Sequence, residues 1–558
     1  MKRRKFLANL GYAVPGILLA PGFIQQVMAG TLTGGNVTII GAGAAGLYAA
    51  KILFEAGYSV TILEAGNQHG GRVRKLEGYA SFTMEAGAEW VHGKGNSAGD
   101  PPSFLWSTIN AYNPDLMEEY KGFQELYSLD DGYVISPPYW DADLEFASNF
   151  YTNMYLYDGE DILMNDYLAS LGINEGDRTW HLYESWIGSE FGTSIKRIGM
   201  KSIAISENLW LTGGKDFIIK TPYLDVLDDV FFNPILTYVQ YGKVVNQIDY
   251  SGDQVIINCE DGSSYFSDRV IVTVPLSILK ADVIAFLPAL SVPKQNAIST
   301  IGMDAGMKIN IRFSERFWGE DICEITLKQE GTLAWDPTFF KPEATDNILT
   351  FFVMGIRAET LSALGEGAIT VILDELDALF EGAASALYMD HYIVDWFKEP
   401  YIKGAYSYPS PNSYASITNS ERMVLAEPVD CKLFFAGEAT SHHHPATVHG
   451  ALESGARVAL EVMDCPITVG VTTPEALSTV DLYSFNNQAY LTIRLASSTN
   501  VELYLQDLQS KNVASLFIGS LQAGEHKHTI QLPKISKGIY ILHGHLGEKV
   551  IHLKVWLH

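Results

Sequence analysis

The chain has 558 residues, 47% of them apolar, more than one hydrophobic core usually organises, so about two to four domains are expected. Its 65 acidic against 38 basic residues leave a formal charge of −27, which argues against nucleic acid as a partner and suits steering of a small cationic ligand. The four cysteines, Cys259, Cys323, Cys431 and Cys465, are too few for a disulfide scaffold and lack metal-ligand spacing; the oxidation state of any pair is left open.

Residues 1–29 read as an export signal: a basic start, an apolar stretch interrupted by Gly11, Pro15, Gly16, Pro21 and Gly22, and small residues near Ala29. Arg3-Arg4-Lys5-Phe6-Leu7 resembles the twin-arginine motif, with a general secretory signal as the alternative. The interruptions make a poor membrane span, and no later apolar run is long enough for one.

From Val37 the pattern becomes a βαβ unit. The β-branched run Val37-Thr38-Ile39-Ile40 leads into Gly41-Ala42-Gly43-Ala44-Ala45-Gly46, then an Ala-rich helix, then Ser59–Leu63 ending at the acid Glu64. Strand, G-x-G-x-x-G, helix, strand and acid in that order form the dinucleotide fingerprint. Gly41 serves the tight turn, Gly43 admits a pyrophosphate to the backbone, and Gly46 lets helix and strand approach. The pyrophosphate is then expected on the helix N-terminus, and Glu64 on the ribose hydroxyls. Next come Gly70-Gly71-Arg72, where Arg72 offers a charged fork to a phosphate, and Gly87-Ala88-Glu89-Trp90-Val91-His92-Gly93.

These blocks together resemble the FAD-dependent amine oxidases, and the G-A-x-W-x-H-G segment resembles their polyamine oxidase branch. The resemblance places His92 near the substrate nitrogen. Residues 100–235 are rich in aromatics with helical spacing and read as a cap over the nucleotide core. Strand patterns return at 244–248, 254–257 and 269–275, with a turn at Asp261-Gly262; the resemblance brings Val245 to the adenine.

In Gly306–Phe313, alternation puts Met307, Ile309, Ile311 and Phe313 on one face and Lys308, Asn310 and Arg312 on the other. A lysine in such a place is ordinarily solvated. The G-x-K-x-x-x-x-F segment resembles the one that supplies the family's flavin-facing lysine, which implies that Lys308 holds a water against flavin N5. Burial beside a flavin disfavours the charged form of a lysine. Residues 366–386 read as an amphipathic helix. Trp396 through Tyr408 resemble the family's W-x-x-x-P-x-x-x-G-S-Y-S, with Ala405 in place of serine; Trp396 and Tyr406 become aromatic walls of the site.

Leu433–Thr440 and His444–Gly455 form the second strong block, a buried strand ending at Gly437-Glu438 and a helix starting near Thr447-Val448. The resemblance gives this block the ribityl chain and the pyrimidine ring. His442-His443-His444 has no further ligand at metal spacing, so no metal is assigned. No cysteine lies in this block or near Tyr406, so FAD is expected to be held non-covalently.

The resemblance thus assigns the cofactor to Gly41, Gly43, Ala45, Gly46, Glu64, Ala65, Gly71, Arg72, Gly87, Ala88, Glu89, Trp90, Val245, Trp396, Gly437, Glu438, Ala446, Thr447 and Val448. It assigns the chemistry to Lys308, His92, Tyr406 and Trp396. The implied reaction is oxidation of an amine C–N bond with O2 reduced to H2O2, on a polyamine first. A monoamine, an L-amino acid, or a secreted flavin-fold protein that binds without turnover are the alternatives.

The expected class is α/β. A Rossmann-type FAD domain (35–99, 236–300, 396–464) is interleaved with an α+β substrate domain (100–235, 301–395). A linker at 465–478 then precedes an all-β sandwich at 479–558. That last part resembles the C-terminal sorting domain of type IX secretion cargo. Signal and tail together imply export machinery as a partner and a periplasmic, cell-surface or secreted destination.

Overall fold

The computed structural model describes residues 35–96, 100–128, 132–136, 142–328, 332–465, 479–485, 488–495, 497–507, 511–532, 538–547 and 549–557. The expected signal and nearly all of the expected linker lie outside them. Contacts divide the chain into two units, residues 1–466 and 467–558.

In the first unit the fingerprint folds as the sequence pattern dictates. Strand β1 (Asn36–Ile40), helix α1 (Ala44–Glu55) and strand β2 (Ser59–Leu63) lie in a parallel sheet with β3 (Val239–Gln240), β4 (Arg269–Val272) and β5 (Leu433–Phe435), in the order β3-β2-β1-β4-β5. The strands read as continuous apolar runs because helices cover the sheet. Helix α2 (Val448–Asp464) packs on α1, and a Cβ at Gly455 would stand 2.4 Å from the Ala45 carbonyl oxygen, so that contact requires glycine. A second, four-stranded sheet runs in the order 264–267, 255–259, 245–249, 285–287. Its hairpin turns at Asp261-Gly262, and the strand Ser264–Ser267 stands between two runs that the sequence pattern separates only by that turn.

The substrate half is built on a seven-stranded sheet ordered 388–395, 306–313, 347–354, 332–335, 322–327, 124–128, 133–136. The cap is therefore not only helical: Gln124–Ser128 and Tyr133–Ser136 extend this sheet, alongside helices such as Phe104–Tyr112, Ala142–Asn153 and Met200–Leu209. The expected single helix at 366–386 is two, Gly367–Leu379 and Ala383–Leu387, broken where Glu381 and Gly382 take positive φ. Met307, Ile309, Ile311 and Phe313 pack against those helices and Gly355–Leu364 in one core. On the opposite face Asn310 and Lys308 are buried too, Lys308 being 2% exposed rather than solvated, and only Arg312 is partly open.

The second unit has two antiparallel sheets, 479–485/488–495/524–531 and 512–521/499–506/538–546/549–557, enclosing one core that includes Leu491, Ile493, Leu503 and Leu542. It is the expected all-β sandwich, with Thr479–Phe485 and Asn512–Leu521 added to the strands read from sequence.

Candidate active site

Both glycine blocks open onto one continuous cavity of about 1500 Å3. That exceeds the roughly 300–1,000 Å3 of a drug-sized site and leaves room for a dinucleotide and a second ligand. Of the residues assigned to the cofactor all line it except Gly46; His92, Lys308, Trp396 and Tyr406 line it as well. Gly46 instead makes the turn possible: a Cβ there would stand 2.1 Å from the Gly41 carbonyl oxygen, and Gly41 itself has φ +107°.

The cradle fits the nucleotide that the sequence implies. Gly43 is the N-cap of helix α1 and no side chain caps the helix there, while Gly43, Ala44 and Ala45 line the cavity, so the helix N-terminus offers N–H groups for an anion. A Cβ on Gly43 would meet no atom within 4 Å, which marks open space where a pyrophosphate is expected. Glu64 directly follows β2 and accepts from Ala42 N–H and Gly66 N–H, both at 2.8 Å, which fixes its carboxylate at the cavity wall. Val245 opens the second sheet and is buried.

Arg72 and Glu438, both assigned to the cofactor, are partners of each other. Arg72 Nη1 donates to the Ala405 carbonyl at 2.8 Å and to Glu438 Oε1 at 2.9 Å. Glu438 is 4% exposed and also accepts from Ser407 N–H, Ser407 Oγ and Ala446 N–H. Burial raises a carboxyl, but Arg72, Arg422 and Ser407 outweigh it and hold Glu438 below the ordinary range. Its carboxylate therefore ties its own loop, through Ala446 at φ +64°, to the segments that hold Arg72 and Ser407. Thr447 caps α2, accepting from Gly450 N–H at 2.9 Å.

Around the expected reaction centre, Lys308 Nζ donates to the Glu85 carbonyl and to Glu89 Oε2, each at 3.0 Å, and lies 5.1 Å from the Trp335 ring. Its burial is thus accompanied by a carboxylate partner at 3.0 Å. Trp396 Nε1 donates to the Ala86 carbonyl at 3.0 Å, and the Arg74 guanidinium stacks on its ring at 4.7 Å. Tyr406 donates to the Ser189 carbonyl at 2.5 Å. A Cβ at Gly192, φ +67°, would fall 2.5 Å from the Tyr406 ring, so glycine admits that ring.

His92 Nδ1 lies 3.1 Å from Asp216 Oδ1. Burial pulls its imidazolium down, but Asp216 and Glu190 outweigh burial and raise it above the ordinary value. The histidine run does not converge: His442 meets Ser420 Oγ and the Ile417 carbonyl, His443 the Leu209 carbonyl, and His444 Glu453 at 2.7 Å.

The sequence reading missed the acidic wall. Glu125, Glu190 and Glu324 line the cavity and accept from the hydroxyls of Tyr127, Tyr151 and Tyr120. Desolvation, helped by Glu125, pushes the Glu324 carboxyl up to about 7; desolvation also raises Glu125 and Glu190. No local motif marks these residues, because strands and helices far apart in sequence bring them together. A disulfide, Cys431–Cys465, was equally invisible; it closes a loop containing Gly437, Glu438 and Ala446–Val448.

Comparison with known proteins adds a family. A model described as flavin containing amine oxidoreductase matches residues 44–121 and 236–463 and stops before the second unit. Polyamine oxidase 1 of Zea mays is 26% identical, covering 81% of this chain and 95% of the maize protein. The peroxisomal N(1)-acetyl-spermine/spermidine oxidase of Bos taurus is 26% identical over 77% of this chain and 95% of its own length. Lysine-specific histone demethylase 2 of Homo sapiens is 26% identical over 82% of this chain, which spans 56% of the human protein.

Proposed function

The chain belongs to the flavin-containing amine oxidoreductase family, and from that premise we propose that it oxidises a C–N bond of a small polycationic amine, a polyamine first of all, with FAD held non-covalently and O2 as oxidant. The observation that carries the substrate class is the acidic cavity wall: Glu125, Glu190 and Glu324 meet neutral phenols, so a ligand ammonium is the natural counterion. The arginines among the described lining residues, Arg72 and Arg74, already sit on Glu438 and Glu399, which disfavours an amino-acid carboxylate as the anchoring group.

When bound, FAD supplies the acceptor for the hydride from the carbon beside nitrogen and the route from there to O2. The chain supplies the rest. Trp396 and Tyr406 wall the cavity, Lys308 presents a buried ammonium, and His92 with Asp216 offers a proton acceptor for an incoming ammonium. Peroxide release measured with spermine, spermidine, benzylamine and L-amino acids tests this reading. Turnover of the polyamines is expected; turnover of amino acids alone contradicts the substrate class, and a flavin that no amine reduces favours a binding protein.

We read the destination as extracytoplasmic. The basic N-terminal segment suits export of a protein that takes up FAD before crossing, the β-sandwich resembles a sorting domain, and a disulfide belongs to an oxidising compartment. Cell fractionation with N-terminal sequencing checks it: an intact Met1 on cytoplasmic protein contradicts the reading.

A further inference from the structure

A lysine head carries three N–H donors on a rotatable stem, and here the protein fixes two of them. One goes to the Glu85 carbonyl and one to the Glu89 carboxylate, each at 3.0 Å. The Lys308 side chain is 2% exposed and that of Glu89 18%, and both line the cavity. With two donors anchored one remains, and Lys308 lines the cavity that Trp335, 5.1 Å from Nζ, Trp396 and Tyr406 also wall.

The charge balance points the same way. Desolvation pushes the Glu85 carboxyl up to about 8, against the pull of the Tyr223 N–H, so at neutral pH it is mostly uncharged. Glu89 is then the anion that compensates the ammonium. A buried ammonium without such a partner is costly, and it would turn or lose its proton.

We propose that Glu89 is a positioning residue: its carboxylate balances the Lys308 ammonium and aims its remaining N–H into the cavity, where the flavin ring is placed. This rests on the FAD-dependent reading above and deepens it, because it gives Glu89 a task toward Lys308 rather than toward the cofactor directly.

Flavin-loaded full-length protein tests it as wild type, Glu89→Gln, Glu89→Asp, Lys308→Met and the double variant Glu89→Gln/Lys308→Met. Two quantities are read: the resting flavin absorbance spectrum without substrate, and the rate of anaerobic bleaching by spermidine. Glu89→Gln is expected to shift the resting bands and to slow bleaching about 10–100-fold, the scale of a misplaced group. Glu89→Asp should recover part of both effects. In the Lys308→Met background, Glu89→Gln should change neither. Coloured protein in which Glu89→Gln keeps the wild-type spectrum and rate, or in which the two substitutions act additively, overturns this proposal alone. Wild-type protein that takes up no flavin overturns the parent reading and this one together.

Discussion

Alternation along Gly306–Phe313 separates Lys308 from the apolar face, but alternation cannot say whether the other face meets water. The structure answers with a lysine 2% exposed, paired to Glu89 and set beside Trp335, on the cavity side of a central strand. Lys308→Met should slow flavin reduction or reoxidation strongly while FAD stays bound, and should cost about 3 kcal/mol because Glu89 loses its partner. Stopped-flow spectroscopy and thermal unfolding check the two halves; wild-type kinetics in this variant remove Lys308 from the chemistry. The acidic wall makes a separate prediction. Glu324 has its carboxyl raised to about 7, so its charge is present above that pH and is lost as pH falls through it. The KM for spermidine should therefore rise on acidification. Glu324→Gln should raise KM at pH 8 about tenfold, equivalent to about 1.4 kcal/mol for one charge-assisted contact, and should flatten the pH dependence. A monoamine should respond much less.

Elements with a mechanism written into consecutive residues were legible: the G-x-G-x-x-G turn, its strand and helix, the strand before Gly437, and α2 with Pro445 and Thr447 at its start. Gly46→Ala tests how strict that turn is. Its Cβ would meet a backbone oxygen at 2.1 Å and Thr273 Oγ1 at 2.8 Å, neither of which can withdraw easily. A cost of about 3 kcal/mol and loss of FAD retention are expected from unfolding and flavin fluorescence measurements. Less legible were features made by distant segments. The strands 124–128 and 133–136 join a sheet whose other members begin at residue 306, and helical spacing in the surrounding cap concealed them. The Cys431–Cys465 bridge, with Cα atoms 5.6 Å apart, joins the loop before β5 to the end of α2. It closes a loop across a sequence separation of 34 residues, and the chain-entropy estimate for that length is about 4 kcal/mol. Cys431→Ser/Cys465→Ser should lower the unfolding midpoint of the first unit by about 4 °C. An unchanged midpoint, or four free thiols in unreduced protein, contradicts the bridge.

At the scale of the molecule, the chain forms two units with separate cores. The family match ends within the first unit, and every residue assigned to cofactor or chemistry lies there. A chain ending at residue 466 should therefore keep its flavin spectrum and its turnover; loss of both would tie the β-sandwich to the site. The division of the chain was readable because strand length and turn spacing change after residue 465, and the cofactor because its motifs are contiguous. The acidic cavity wall was not readable: the charge imbalance and the G-A-x-W-x-H-G segment hint at a cationic ligand, but sequence alone does not say which of 65 acids point into one cavity.

The central claim is that two distant glycine turns and Lys308 surround one flavin which an acid-lined cavity supplies with polycations. The most direct measurement is an anaerobic photometric titration of the purified, FAD-supplemented protein. One FAD per chain is expected, bleached by spermidine or spermine and left oxidised by L-amino acids. Folded protein that stays colourless after incubation with FAD would contradict it.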